Sequence, residues 1–114
     1  MKVNKLIPKI EKKTLFLASH EIHVPDLPGC YVITTMDDDI LYIGKADRRI
    51  SERFKQHIKN KDKKSITQDG LGYYFYYLVL ETKDCVDVEN SWLMFFQNYE
   101  GRLPILNKIN SPIY

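Results

Sequence analysis

Five residue types at particular spacings could together act on a phosphodiester. Tyr31 and Tyr42 stand eleven residues apart in two β-rich runs, and Arg53 is followed four residues later by His57. Glu89 interrupts an apolar run, and Asn107 follows a Leu103-Pro104-Ile105-Leu106 stretch. Hydrolysing a phosphodiester needs an activated water, positive charge on the phosphate and stabilisation of the leaving oxygen. Glu89 offers a hard oxygen ligand for Mg²⁺ or Mn²⁺, ions commonly held by one or two carboxylates plus water and substrate phosphate. Arg53 offers a planar fork for phosphate oxygens. The two phenols can approach the phosphate, but a group of pKa about 10 is a poor base unless cations lower it. Lys45 and His57 are the available cations or relays.

The charge distribution suits a polyanion. The net charge of +2 conceals a block from Lys45 to Lys64 with nine basic and three acidic residues, which leaves the rest of the chain at −4. Arg48, Arg49, Lys55, Lys59, Lys61, Lys63 and Lys64 are the candidate nucleic-acid contacts in that block. A lysine-rich solvated helix end would account for the charge equally well if charge were the only signal.

Elements that could position these groups are legible from the pattern. At 114 residues, 44% hydrophobic and 28% charged, the chain has the makings of one α+β domain. No long apolar stretch suggests a membrane span or signal peptide, so a cytoplasmic protein is expected. Cys30 and Cys85 show neither metal-ligand spacing nor a disulfide framework, and Cys30 is expected in the core. Prolines at 25 and 28 mark the end of an N-terminal extension, residues 1–28, in which a short helix is predicted around Lys9–Ser19. His20 and His23 in it read as surface residues.

Beyond Gly29, residues 31–35 and 40–43 read as a hairpin closed by Met36-Asp37-Asp38-Asp39. A helix is predicted from Asp47, a candidate N-cap, to about Asn60, with Ile50, Phe54 and Ile58 as its apolar stripe and Arg53 and His57 on one flank. Residues 73–80, apolar on both alternating faces, read as a central strand whose aromatics pack in the core rather than stack on bases. A second helix is predicted from about Val86 to Tyr99, with Val88, Trp92, Phe95, Phe96 and Tyr99 on one side. Glu89 falls at the border of that apolar surface. A half-buried carboxylate is costly unless paired or metal-bound, so a salt bridge is the plainer alternative to a metal role.

The ordered set resembles the GIY-YIG nuclease superfamily, which includes the incision subunit of bacterial excision repair and homing endonucleases. Gly29-Cys30-Tyr31 resembles the first motif with Cys for Ile, Tyr42-Ile43-Gly44 is the second, and Lys45-Ala46 is similar to the repair-subunit version. Arg53, one residue further from Tyr42 than in the commonest pattern, and His57 match the helix arginine and histidine. Glu89 matches the sole metal-ligating glutamate, and residues 103–107 resemble the ending that carries the supporting asparagine.

The resemblance covers residues 29–107, the expected catalytic core. It implies a central three-stranded antiparallel sheet flanked by helices and one-metal hydrolysis of DNA. It also implies a catalytic set of Tyr31, Tyr42, Lys45, Arg53, His57, Glu89 and Asn107, in which either tyrosine has been proposed as the base. Tyr31, helped by His57, is preferred here. A non-catalytic nucleic-acid-binding module with the same fold is the alternative, and a plain α+β interaction domain a third reading. The resemblance is compatible with DNA repair, mobile-element or phage-defence roles, with specificity expected from a protein partner or from homodimerisation.

Overall fold

The computed structural model describes residues 1–60, 66–67 and 69–108. Its main sheet holds four antiparallel strands in the order β1-β6-β2-β3: β1 (Lys12–Leu15), β2 (Gly29–Thr34), β3 (Ile40–Ala46) and β6 (Tyr74–Val79). The three strands implied by the resemblance are β2, β3 and β6, and β1 extends them at one edge. Strands β4 (Ile66–Thr67) and β5 (Gly70–Leu71) form a separate two-stranded ribbon. The helices are α1 (Ile50–Lys59), α2 (Thr82–Glu100) and the short α3 (Ile105–Lys108).

Strand β1 replaces the helix predicted around Lys9–Ser19. Its residues pair with Tyr74–Tyr77 of β6, and a 3₁₀ turn follows at Ala18–His23. The open edge of β6 offers backbone partners to any segment that reaches it, and a short segment of weak helical preference yields to that demand. Residues 1–28 also supply Val3, Leu6, Ile10, Phe16 and Val24 to the core.

Helix α1 begins at Ile50, three residues after the predicted cap, and Arg49 occupies the N-cap position with no side-chain cap bond. The first amides are satisfied elsewhere: Ile50 N–H donates to the Leu27 carbonyl (2.8 Å) and Ser51 N–H to that of Pro25 (3.1 Å). Asp47 is therefore not needed as a cap.

Strand alternation puts side chains from consecutive residues on opposite faces, each with its own core. Cys30, Val32, Ile43 and Tyr76 pack with Cys85, Trp92 and Phe96 of α2, whereas Tyr31, Ile33, Tyr42 and Phe75 pack with Ile50 and Phe54 of α1 and Leu106 of α3. Cys30 thus points away from Tyr31, as expected. Both thiols are buried, and burial pushes both upward in pKa.

Helix α2 is longer than predicted and ends where the Gly101 N–H donates to the Gln97 carbonyl (2.8 Å). Its buried stripe is Cys85, Trp92 and Phe96, while Phe95 (41% exposed) and Tyr99 (63%) face outward, contrary to the sequence reading. At 100° per residue Phe95 lies a full quadrant from Phe96, outside the narrow stripe that one helix can bury against a sheet. Glu89, four residues after Cys85 and seven before Phe96, lies on the buried stripe itself.

Candidate active site

Tyr31 on β2 faces Gly44 on β3, and Tyr42 faces Ile33 two pairs along, so the two tyrosines are diagonal neighbours on one face. Their ring centroids are 6.0 Å apart. A Cβ on Gly44 would stand 2.7 Å from the Tyr31 hydroxyl oxygen and 2.6 Å from Tyr42 Cε2. Only glycine leaves room for both rings. Gly29 has a similar role, since its Cβ would overlap the Leu78 carbonyl oxygen at 2.1 Å.

Helix α1 brings His57 over this pair. His57 is 2% exposed, more deeply placed than a flanking position implied, and its Nε2 shares a 3.0 Å hydrogen bond with the Tyr31 hydroxyl. Its ring also meets Tyr42 edge-on at 4.9 Å. Tyr31 is fully buried, and burial, with Tyr42 beside it, holds its hydroxyl well above the ordinary phenol range; Arg53 pulls weakly the other way. Tyr31 is a neutral phenol here.

The second half of the site lies across the edge strand. Lys45 pairs with Cys30 in register and shares the α2 face, toward Glu89. The Glu89 carboxyl is half-buried, and burial raises its pKa; Lys45 and Arg53 lower it, and Asp47 raises it again. Among the described residues Glu89 forms no ion pair. Lys45 Nζ instead donates to both oxygens of Asp47, at 2.8 and 2.9 Å. Arg53 Nη1 donates to Gln56 Oε1 at 3.1 Å, and its charge acts on both Tyr31 and Glu89. The guanidinium therefore links the two halves.

Asn107 lies on α3 against the outer edge of β3. Its Oδ1 accepts from the Ile43 N–H and its Nδ2 donates to the Ile43 carbonyl, both at 2.9 Å. The amide grips the backbone between Tyr42 and Gly44, so Asn107 acts on the site through the strand.

Of the candidate DNA contacts, Arg48 and Arg49 line a cleft of about 280 Å³ with Asp47, Glu52, Arg53 and Gln56, immediately beside the site. Lys55 turns toward the Ala18–His23 segment and pairs with Glu21 at 3.4 Å, and Lys59 is exposed at the helix end. Lys61, Lys63 and Lys64 lie outside the described residues. A larger groove of about 590 Å³ runs between residues 9–12, 22–27 and 77–79 and contains none of the candidate catalytic residues. Sequence reasoning missed Asp47 as a member of the site. Its only local signal is an acid two residues beyond Lys45 at a strand end.

Residues 27–100 match the family model described as the GIY-YIG catalytic domain. The chain belongs to the GIY-YIG family. A comparison with curated proteins finds no match. GIY-YIG membership makes this a nuclease-type domain with DNA as the implied substrate, and the antiparallel α+β architecture agrees with it. Among the described residues, no helix is long and apolar enough to cross a membrane.

The donor set of this GIY-YIG domain fits a single hard dication. One half-buried carboxylate with no ion pair among the described residues supplies the oxygen, and Mg²⁺ commonly takes the rest of its shell from water and phosphate. No group of three or more His, Cys, Asp or Glu side chains suited to a metal occurs among the described residues.

Proposed function

We propose that this domain is a divalent-metal-dependent endonuclease that hydrolyses DNA phosphodiester bonds by a one-metal mechanism. The observation that carries this reading is Glu89, a carboxylate on the buried stripe of α2 with no ion pair among the described residues and two cations acting on it. Desolvating such a group is costly without a compensating cation. A binding module would have no use for it. Mg²⁺ or Mn²⁺ on Glu89 would supply Lewis-acid charge to the phosphate.

The remaining steps belong to the chain's own residues. Arg53 holds a non-bridging phosphate oxygen and stabilises charge as it builds there. Lys45 adds a second positive charge. Tyr31 takes a proton from the attacking water as its own proton passes to His57 Nε2, 3.0 Å away. This requires the neutral His57 tautomer protonated on Nδ1. The water oxygen forms the new P–O bond as one P–O ester bond breaks, and the departing oxygen leaves as an alcohol after taking a proton from solvent water. Because the transfer is concerted, the raised pKa of Tyr31 does not demand a stable phenolate. Tyr31 is fully enclosed without DNA, so the reading requires substrate binding to uncover its hydroxyl.

Arg48 and Arg49 lie beside Arg53 as phosphate contacts, which position DNA without reading its sequence. Weak, salt-sensitive binding follows, with selectivity from a protein partner or a homodimer. The deciding experiment is a cleavage assay on single-stranded, duplex and branched DNA with Mg²⁺, Mn²⁺ or EDTA. Metal-dependent cuts without a fixed recognition sequence are expected, and the lack of cleavage on all three substrates would overturn the reading.

A further inference from the structure

We propose that Asp47 is an internal stand-in for substrate phosphate, occupying Lys45 until DNA displaces it. This rests on the reading of the site as one that receives DNA phosphate. Both Asp47 oxygens accept from the Lys45 ammonium, at 2.8 and 2.9 Å, the two-oxygen contact that a phosphate would make. The backbone at residue 47 is anchored beside the pair, which leaves the side chain free to turn. The Thr82 hydroxyl donates to the Asp47 carbonyl at 2.7 Å, tying residue 47 to the first turn of α2, the helix that carries Glu89.

Position and exposure then fit a displaceable group. Asp47 lines the cleft formed with Arg48, Arg49 and Arg53, so an incoming phosphate meets these cations and Asp47 together. Its side chain is 54% exposed against 28% for Lys45, which leaves the acid on the solvent side of the pair. Exposed ion pairs of this kind contribute little net stability, so a phosphate already held by neighbouring arginines can take the lysine over. The outcome is a site whose lysine is neutralised without substrate and available with it.

Equilibrium binding of a short duplex oligonucleotide in EDTA, at fixed ionic strength, tests this without turnover. Asp47→Asn should bind about two- to fivefold more tightly than wild type, the range expected for releasing one exposed pair. The control Asp37→Asn, the same charge change at the far tip of the β2-β3 hairpin, should gain less. In a Lys45→Met background the Asp47→Asn gain should fall to that of Asp37→Asn. If Asp47→Asn binds no more tightly than Asp37→Asn, or keeps its larger gain in Lys45→Met, the inference fails while the reading of the site stands. If wild type shows no salt-dependent DNA binding at all, both fail.

Discussion

The Tyr31 ring lies directly over Gly44, leaving no room for even one methyl group: a Cβ there would sit 2.7 Å from both Tyr31 Cζ and its hydroxyl oxygen. The same strand pair sets the reach of the hydroxyl to His57 Nε2, so crowding at Gly44 is transmitted to the proposed proton path. Gly44→Ala should therefore lower stability by about 1–3 kcal/mol, the usual range for overpacking, and reduce cleavage more than tenfold. A melting curve together with the cleavage rate checks both.

Glu89→Gln should abolish cleavage and leave the fold as stable as wild type or more so at neutral pH. Burial raises the Glu89 pKa in the folded chain, so the folded state favours the protonated form. That costs nothing below the unfolded pKa of about 4.3 and reaches its full size above the raised folded pKa. The stability advantage of Glu89→Gln in metal-free buffer should accordingly grow as pH rises through this window. Parallel melting curves from pH 4 to 7 measure it, and a shrinking advantage would contradict the burial of the charge.

Tyr31→Phe should lose at least a hundredfold in turnover while costing only about 1 kcal/mol of stability, the value of one buried hydrogen bond. Tyr42→Phe keeps the Tyr31–His57 bond and should retain more activity. In wild type, Tyr31 should remain un-ionised at pH 10, where an exposed tyrosine is half ionised. Ultraviolet titration of wild type and Tyr31→Phe should therefore give the same phenolate absorbance at that pH, and an excess in wild type would contradict the burial of the hydroxyl.

Arg53→Ala should cut turnover about a hundredfold by removing transition-state charge stabilisation worth ~3 kcal/mol. Arg48→Ala should mainly weaken DNA binding and flatten its salt dependence, with maximal turnover little changed. Steady-state kinetics at two salt concentrations separate the two. Identical behaviour of the variants would place Arg53 among the ordinary phosphate contacts.

Asn107→Ala should destabilise the fold by about 1–3 kcal/mol, because it leaves both backbone groups of Ile43 without their side-chain partners. Its effect on turnover should follow from the looser strand that carries Tyr42 and Gly44. An osmolyte that restores the melting temperature should then recover much of the lost rate, which it would not do for Glu89→Gln.

Local pattern alone placed most of the candidate chemistry. The triplets Gly29-Cys30-Tyr31 and Tyr42-Ile43-Gly44 stand in the sequence itself, and the opposite facing of Cys30 and Tyr31, the helix bearing Arg53 and His57, and the placing of Glu89 on a second helix follow from periods of 2 and 3.6. These repeats are properties of neighbouring residues, so the sequence expresses them directly. Tertiary structure decided the rest. Lys12–Leu15 became a strand because β6, about sixty residues away, had an open edge. Asp47 was released from capping because Leu27 and Pro25 supply the carbonyls, and it turned to Lys45 instead. The Asn107 amide found Ile43, 64 residues distant, and Phe95 and Tyr99 stayed outside because the sheet covers only one narrow stripe of α2. Each of these outcomes depends on which backbone groups and surfaces remain unsatisfied after distant segments have packed. No window of neighbouring residues contains that information.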